Sequence, residues 1–270
     1  MAAQKGFEYE KNVSKRLKKI GLVDDNFEPV GAAHDRADLE ITWRKDVINV
    51  ELKTEAASGG SLALKWDGNK PKNKRWAFSD VSNDEEKQFL ADLAESSGAL
   101  AKLNSAWTDT PAKYARENSK DADEKLLAFS WKQAKDRESK KQVYRKELEK
   151  FKELKEKLPG TVIADYYEKK KTYYVNVGTN GFYLFGKKDP NNINKNCRDK
   201  KIKLVPSFSD SADVSYRVRV QDKGGGNFQY TFELSFSIKK SNSSPYNIGP
   251  ILGGGSVTII ENKLNVDCFL

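Results

Sequence analysis

Residues 37–53 read Ala-Asp-Leu-Glu-Ile-Thr-Trp-Arg-Lys-Asp-Val-Ile-Asn-Val-Glu-Leu-Lys. Two runs within this stretch alternate apolar and polar side chains, the pattern of half-buried strands. In 37–43, Leu39 and Ile41 fall on one face, and Asp38, Glu40 and Thr42 on the other. In 47–53, Ile48, Val50 and Leu52 share a face, and Asn49, Glu51 and Lys53 share the opposite one. A two-residue turn at Arg44–Lys45 joins the runs into a hairpin. The register that keeps the apolar face continuous sets Leu39 opposite Val50 and Asp38 opposite Glu51. Directly paired side chains have Cβ atoms about 5 Å apart. Two carboxylates at that distance repel and raise one another's pKa unless a cation neutralises them. A divalent ion held by oxygen ligands, Mg²⁺ or Mn²⁺, is the economical cation. Lys53 lies on the same face, where its ammonium reaches a phosphate oxygen or an attacking water. A metal and a lysine beside a phosphodiester form a phosphoryl-transfer arrangement.

The surrounding chain supports a globular protein. It has 270 residues, 37% apolar and 32% charged, with a formal charge of +9. That length buries a sizeable core in one large domain or two small ones. The positive excess favours a polyanion partner, although a lysine-rich helix accounts for it equally well. Cys197 and Cys268 lack metal-ligand spacing, and no apolar run is long enough to span a membrane. The expectation is therefore a cytoplasmic protein with no membrane contact. Phe7, Val13, Leu17 and Ile20 predict a first helix over 5–21 that stops at Gly21. Further on, 84–103 reads as one helix capped by Ser82 or Asn83, and 112–157 as a charged, helix-favouring stretch ended by Pro159-Gly160. Within it, Tyr144, Leu148, Phe151 and Leu154 make a narrow apolar stripe. Beyond 160 the composition predicts strands at 161–167, 171–177, 181–186, 214–222 and 228–238, a loop over 241–256, and a last strand at 257–260. The chain thus divides into 1–81, with the hairpin; 82–159, helical and charged; and 160–270, β-rich and completing the core or recognising DNA.

The order helix, strand, turn, strand, with Asp38, twelve intervening residues and Glu51-Leu52-Lys53, resembles the PD-(D/E)XK nuclease superfamily. Gly6-Phe-Glu-Tyr-Glu10 with Val13, Leu17 and Gly21 resembles the first helix of Mrr-like endonucleases and archaeal junction resolvases. The likeness covers about 5–55, and Ala37 stands where those proteins often carry proline. It implies an α/β, restriction-endonuclease-like core, a mixed sheet flanked by helices, here with a helical insertion and a β-rich C-terminal half. It also implies a Mg²⁺- or Mn²⁺-dependent endonuclease acting on double-stranded DNA. In that reading Asp38, Glu51 and the Leu52 carbonyl hold metal, and Glu10 joins directly or through water, with Glu8 as its alternate. Lys53 would stabilise the transition state. The chain's extra length points to type II restriction, in which homodimers are common; a repair or junction nuclease is the alternative. A non-catalytic basic nucleic-acid-binding protein is the rival from another class.

The acidic-x-Lys triplet alone is cheap. It recurs at Glu85, Asp123, Glu138, Glu153 and Glu168, mostly in lysine-rich helical sequence where such charges pair along the helix. Only the Glu51 copy ends an apolar strand that faces a second acidic strand. Several stretches are candidates for DNA contact. Lys72, Lys74 and Arg75 lie between Trp66 and Trp76, in a loop that either stacks on bases or tucks its tryptophans inward. Arg217, Arg219, Gln221 and Lys223 alternate with Val218 and Val220, as in a β-ribbon that reads base edges or in a strand with one solvated face. His34 precedes Asp38 and is able to touch a phosphate, although a lone loop histidine is more often incidental. Residues 186–203 carry seven Lys/Arg against two Asp and read as a phosphate-contact loop.

Overall fold

The structure is a computed structural model. It describes the chain except residues 1, 30–36, 55, 80, 82, 108, 152–153, 223–227, 239, 250, 254–257 and 261–263, and for some further residues, among them 144, 148, 151 and 221, the backbone alone. In chain order the elements are α1 (Ala2–Lys19), β1 (Leu39–Trp43), β2 (Asp46–Lys53), β3 (Ala56–Trp66), β4 (Trp76–Phe78), α2 (Glu85–Ser96), α3 (Ala99–Ala106), α4 (Ala122–Gln133) and α5 (Arg137–Phe151). There follow β5 (Lys155–Leu158), α6 (Thr161–Lys169), β6 (Tyr174–Val177), β7 (Gly181–Leu184), α7 (Ile193–Asp199), α8 (Phe208–Ser211), β8 (Ala212–Asp222), β9 (Phe228–Ile238), β10 (Ile251–Gly253) and β11 (Thr258–Ile260). These elements form two compact units. The first comprises 1–57, 158–214 and 236–270; the second comprises 58–157 and 215–235.

The first unit is built on a mixed sheet in the order β1-β2-β6-β7. β1 and β2 are antiparallel with Leu39 paired to Val50, the register expected from the alternation, and Arg44–Lys45 form the turn. β2 runs parallel to β6, and β7 returns antiparallel. One face is apolar: Leu39, Ile41, Trp43, Ile48, Val50 and Leu52 bury themselves against Tyr9, Val13 and Leu17 of α1. Each such side chain contributes roughly 1.5–3 kcal/mol on burial. α1 ends where expected, with Gly21 at φ 72°. It is keyed to the sheet through Tyr9, whose hydroxyl accepts from Asn176 Nδ2 at 2.8 Å. The Asn176 side-chain Oδ1 in turn accepts from Ile248 N–H at 3.2 Å.

The other face of this sheet carries Glu51, Lys53 and Tyr183, and α6 lies over it. Tyr167 of α6 stacks on Phe185 with centroids 3.9 Å apart. Sheet with helices on both faces is the mixed α/β arrangement expected. Gly181 opens β7 at φ 102°, and a Cβ there would lie 2.2 Å from the Tyr246 carbonyl oxygen. Gly181→Ala is therefore expected to cost about 3 kcal/mol or more, from left-handed backbone strain and overpacking together. A chemical denaturation midpoint equal to that of the unmodified chain would contradict this.

The second unit is built on the sheet β4-β3-β9-β8-β5. Trp76 sits at the centre of an aromatic cluster. Its ring centroid lies 5.3 Å from Trp66, 5.7 Å from Trp107 and 5.1 Å from Tyr230. Trp66 and Trp76 are thus core residues, and the tucked-in reading of their loop holds.

Several sequence expectations are corrected. Residues 161–167 are not a strand but most of helix α6, because Ile163, Tyr166 and Tyr167 recur at helical spacing and are buried together. The helix predicted over 84–103 is two helices, broken where Gly98 adopts φ 73°. Its cap is Asp84, which accepts from Lys87 N–H, in place of Ser82 or Asn83. The charged stretch before Pro159 ends in strand β5, and its helices are α4 and α5. Residues 186–203 are not all loop, since α7 lies among them, and β10 lies within 241–256. Of the predicted apolar stripe, Leu154 is buried; the side chains of Tyr144, Leu148 and Phe151 fall outside the described ones.

Candidate active site

Asp38, just ahead of β1, is one position before the Leu39–Val50 pair, so it comes opposite Glu51 near the end of β2. Its Oδ2 accepts the Leu52 N–H at 2.9 Å. That bond fixes the carboxylate on the strand carrying Glu51 and Lys53. Glu51 is only 3% exposed, a position a carboxylate occupies only when paired. Three groups pair it. The Lys53 ammonium contacts Oε1, the Tyr167 hydroxyl donates to Oε1 at 3.3 Å, and the Lys170 ammonium lies 3.8 Å from Oε2. Lys53 Nζ also lies 3.6 Å from Asp38 Oδ2. The lysine thus bridges the two opposed carboxylates, the place where a divalent ion with Lys53 at its flank was expected.

The electrostatics follow from this arrangement. Burial pushes the Asp38 carboxyl up, and the Glu51 charge adds to it; Lys53 and the Leu52 N–H oppose, leaving it at about 6. Burial also raises Glu10, on α1, and the nearby Asp38 charge raises it further, to about 7. Burial alone would raise Glu51 too, but Lys53 and Lys170 outweigh it and hold that carboxyl below its ordinary value. Burial opposes the charge on Lys53, and Glu51 and Asp38 override it, so its pKa is raised. The Glu10 Oε2 and Glu51 Oε2 atoms are buried without a hydrogen bond.

A pH dependence follows. Asp38 and Glu10 bind protons more tightly folded than unfolded, so their contribution to stability is fully present below pH 4. It is lost as pH rises through about 6 and 7. With divalent ions chelated, the denaturation midpoint is expected to fall between pH 5 and about 8 by this contribution, and to fall less in a Glu10→Gln variant. Equal slopes in the two proteins would contradict the assignment.

Asp38, Glu51 and Lys53 are therefore brought together, with the Leu52 backbone between the last two, and Glu10 on α1 is near enough to feel the charges of all three. Among the described residues, no group of three or more His, Cys, Asp and Glu side chains is gathered as a ready metal cage. The sequence reading missed Tyr167 and Lys170. Their signal was present: Ile163, Tyr166, Tyr167 and Lys170 fall at i, i+3, i+4 and i+7, one face of a helix. Glu168-x-Lys170, set aside as an ordinary triplet, supplies the second lysine on Glu51.

The other candidates belong to the second unit or fall outside the described residues. Lys72 and Lys74 are exposed residues of the second unit, and the Arg75 guanidinium lies 5.4 Å from the Trp66 ring centroid. Arg217 NH2 is 3.1 Å from Glu233 Oε1, and Arg219 contacts the other Glu233 oxygen. Glu233 is 1% exposed, so both arginines neutralise a buried charge. Lys223 and His34 fall outside the described residues, as does the Gln221 side chain. No helix among the described residues is long and apolar enough to cross a membrane.

No protein-family description matches the chain, and no curated protein matches it. Among solved structures, HhaI endonuclease in complex with DNA matches with a TM-score of 0.39 and 13% identity, over 94% of each chain. A superposition this loose leaves the reading to the residues themselves.

Proposed function

We propose that the chain is a metal-dependent endonuclease that hydrolyses phosphodiester bonds in double-stranded DNA. The observation that carries this reading is the pair Asp38 and Glu51, opposed across a hairpin, with the Lys53 ammonium between them. The residues suit a small oxygen-liganded ion. Two crowded carboxylates, one with its pKa pushed up, and the unbonded oxygens of Glu51 and Glu10 are what such an ion would satisfy. Asp38, Glu51 and the Leu52 carbonyl would hold it, with Glu10 beside them. Two carboxylates plus water and substrate phosphate are a usual Mg²⁺ environment. When bound, the ion would polarise the phosphate and lower the pKa of water.

The chain's own groups do the rest. The Leu52 N–H orients Asp38. Tyr167 and Lys170 hold Glu51 in place and ionised. With Lys170 on Glu51, Lys53 is able to turn its ammonium to the scissile phosphate, where it stabilises the charge that develops. Water attacks phosphorus as the bond to the 3′ oxygen breaks, and the 5′ phosphate remains on the other fragment. The excess of +9 favours the approach of a polyanion. The long region outside the hairpin favours sequence-specific restriction over a minimal junction enzyme.

Plasmid incubated with the protein and Mg²⁺ tests this. Cutting is expected, and EDTA is expected to abolish it. Gel shifts without cuts under every divalent ion would sink the catalytic reading and leave a binding protein. Sequenced ends that share one motif identify restriction; cuts confined to branched substrates identify resolution.

A further inference from the structure

The hairpin that carries the carboxylates at one end carries an ordered arginine at the other. Arg44 opens the turn, and its guanidinium lies over the Trp43 ring, 4.5 Å from the centroid. Its NH2 donates to Asn196 Oδ1, on α7, at 2.7 Å. Asn196 is 4% exposed, and its own amide nitrogen donates to the Cys268 carbonyl at 2.8 Å. The acceptor that holds Arg44 is therefore itself fixed by burial. A guanidinium ordered in advance gives up less rotamer freedom when it takes a ligand, and Arg44 remains exposed.

The residues next to this contact are strongly basic. Lys45 follows Arg44 in the turn; Lys195 and Arg198 lie on α7; Lys200 and Lys201 come directly after it, and all five are exposed. The aspartates of 186–203 do not offset them equally. Asp189 is turned inward, where it accepts from the Tyr174 hydroxyl at 2.8 Å and from the N–H groups of Ile193 and Asn194 at 3.0 and 2.8 Å. Among the described residues, Asp199, Asp46 and Asp267 are exposed acids close to these cations in sequence or, through Lys200, in contact.

We propose that this end of the first unit, Arg44 with α7 and the residues after it, is a second phosphate-binding surface that takes nucleic-acid backbone. The cations are spread over a turn, a helix and the residues after it, which suits a row of phosphates better than a single small anion. The planar fork of Arg44 matches phosphate oxygens in pairs. Arg44 is six residues from Asp38, about 20 Å of extended strand, or about six base pairs of duplex. The surface is thus separate from the carboxylate pair, and binding there requires no cleavage.

The test is fluorescence anisotropy of a long labelled duplex in EDTA, across a range of salt. The comparison is between the unmodified chain, Arg44→Ala, and the triple variant Lys195→Glu, Arg198→Glu, Lys201→Glu. None of these residues belongs to the carboxylate site. The triple variant is expected to lose about ten-fold or more in affinity, with a log K against log salt slope shallower by about 2–3. Arg44→Ala is expected to weaken binding several-fold. A thermal melt checks that each variant folds, and Arg44→Lys, which keeps the charge without the fork, is expected to recover only part of the loss. Unchanged affinity and slope in a folded triple variant would overturn the proposal. So would a loss of binding to polyglutamate with DNA binding intact, which would make this a surface for acidic protein. Because the assay excludes divalent ions, absence of cleavage would refute the endonuclease reading and leave this result readable.

Discussion

Lys53→Met is expected to lower stability at pH 8 by about 3 kcal/mol and to reduce cleavage by about 100-fold or more. The stability loss arises because Glu51 is 3% exposed and Asp38 faces it. Removing the ammonium that contacts both leaves two crowded carboxylates with less compensation. Lys170 and Tyr167 still bond Glu51, which keeps the estimate at the lower end for a broken buried pair. The cost is expected to shrink at pH 5, where Asp38 takes up a proton instead. Urea denaturation at the two pH values reads this difference, and cleavage of plasmid reads the catalytic loss. A variant as stable as the parent at pH 8 would show that the ammonium does not hold the carboxylates together.

Asp38→Asn is expected to abolish cleavage as well, but with the opposite effect on stability. The Asp38 carboxyl is pushed up to about 6 by burial and by Glu51, so keeping it ionised at pH 8 opposes folding. Asparagine removes that charge and still offers an oxygen to the Leu52 N–H. In chelating buffer the variant is expected to be more stable by about 1–2 kcal/mol, after allowing for the weakened contact with Lys53. Added Mg²⁺ is expected to stabilise the parent and not the variant, since a ligand that binds only the folded state raises its stability. Thermal melts with and without Mg²⁺ decide the point. A destabilised Asp38→Asn in chelator would mean that the Lys53 contact outweighs the repulsion. Opposite signs from Lys53→Met and Asp38→Asn, with cleavage lost in both, would distinguish a site that stores electrostatic strain from an ordinary surface hairpin.

The sequence was most legible where interactions are local. The alternation in 37–43 and 47–53 and the turn at Arg44–Lys45 prescribe the pairing of Leu39 with Val50, because a slip of one residue would expose the apolar face. Gly21 was legible as a stop because a left-handed φ favours glycine. The composition of 161–167 misled. Val162, Ile163, Tyr166 and Tyr167 suit a strand by propensity, and packing of one face against Phe185 made the segment a helix. The basic and aromatic loop around Lys72 and Arg75 was open to two readings, and packing chose between them, since its tryptophans belong to the aromatic core about Trp76.

By itself, then, the chain's order of residues determined the hairpin, its register and the approach of Asp38 to Glu51, since period-two burial and a two-residue turn act between near neighbours. Only the tertiary structure decided that Tyr167 and Lys170 complete the surroundings of Glu51, and that Lys53 bridges both carboxylates. It also decided that Arg217 and Arg219 are drawn to the buried Glu233. The reason is physical. A buried charge must find its counter-charge wherever the fold brings one, and that partner is chosen by burial and distance in space, not by spacing along the chain.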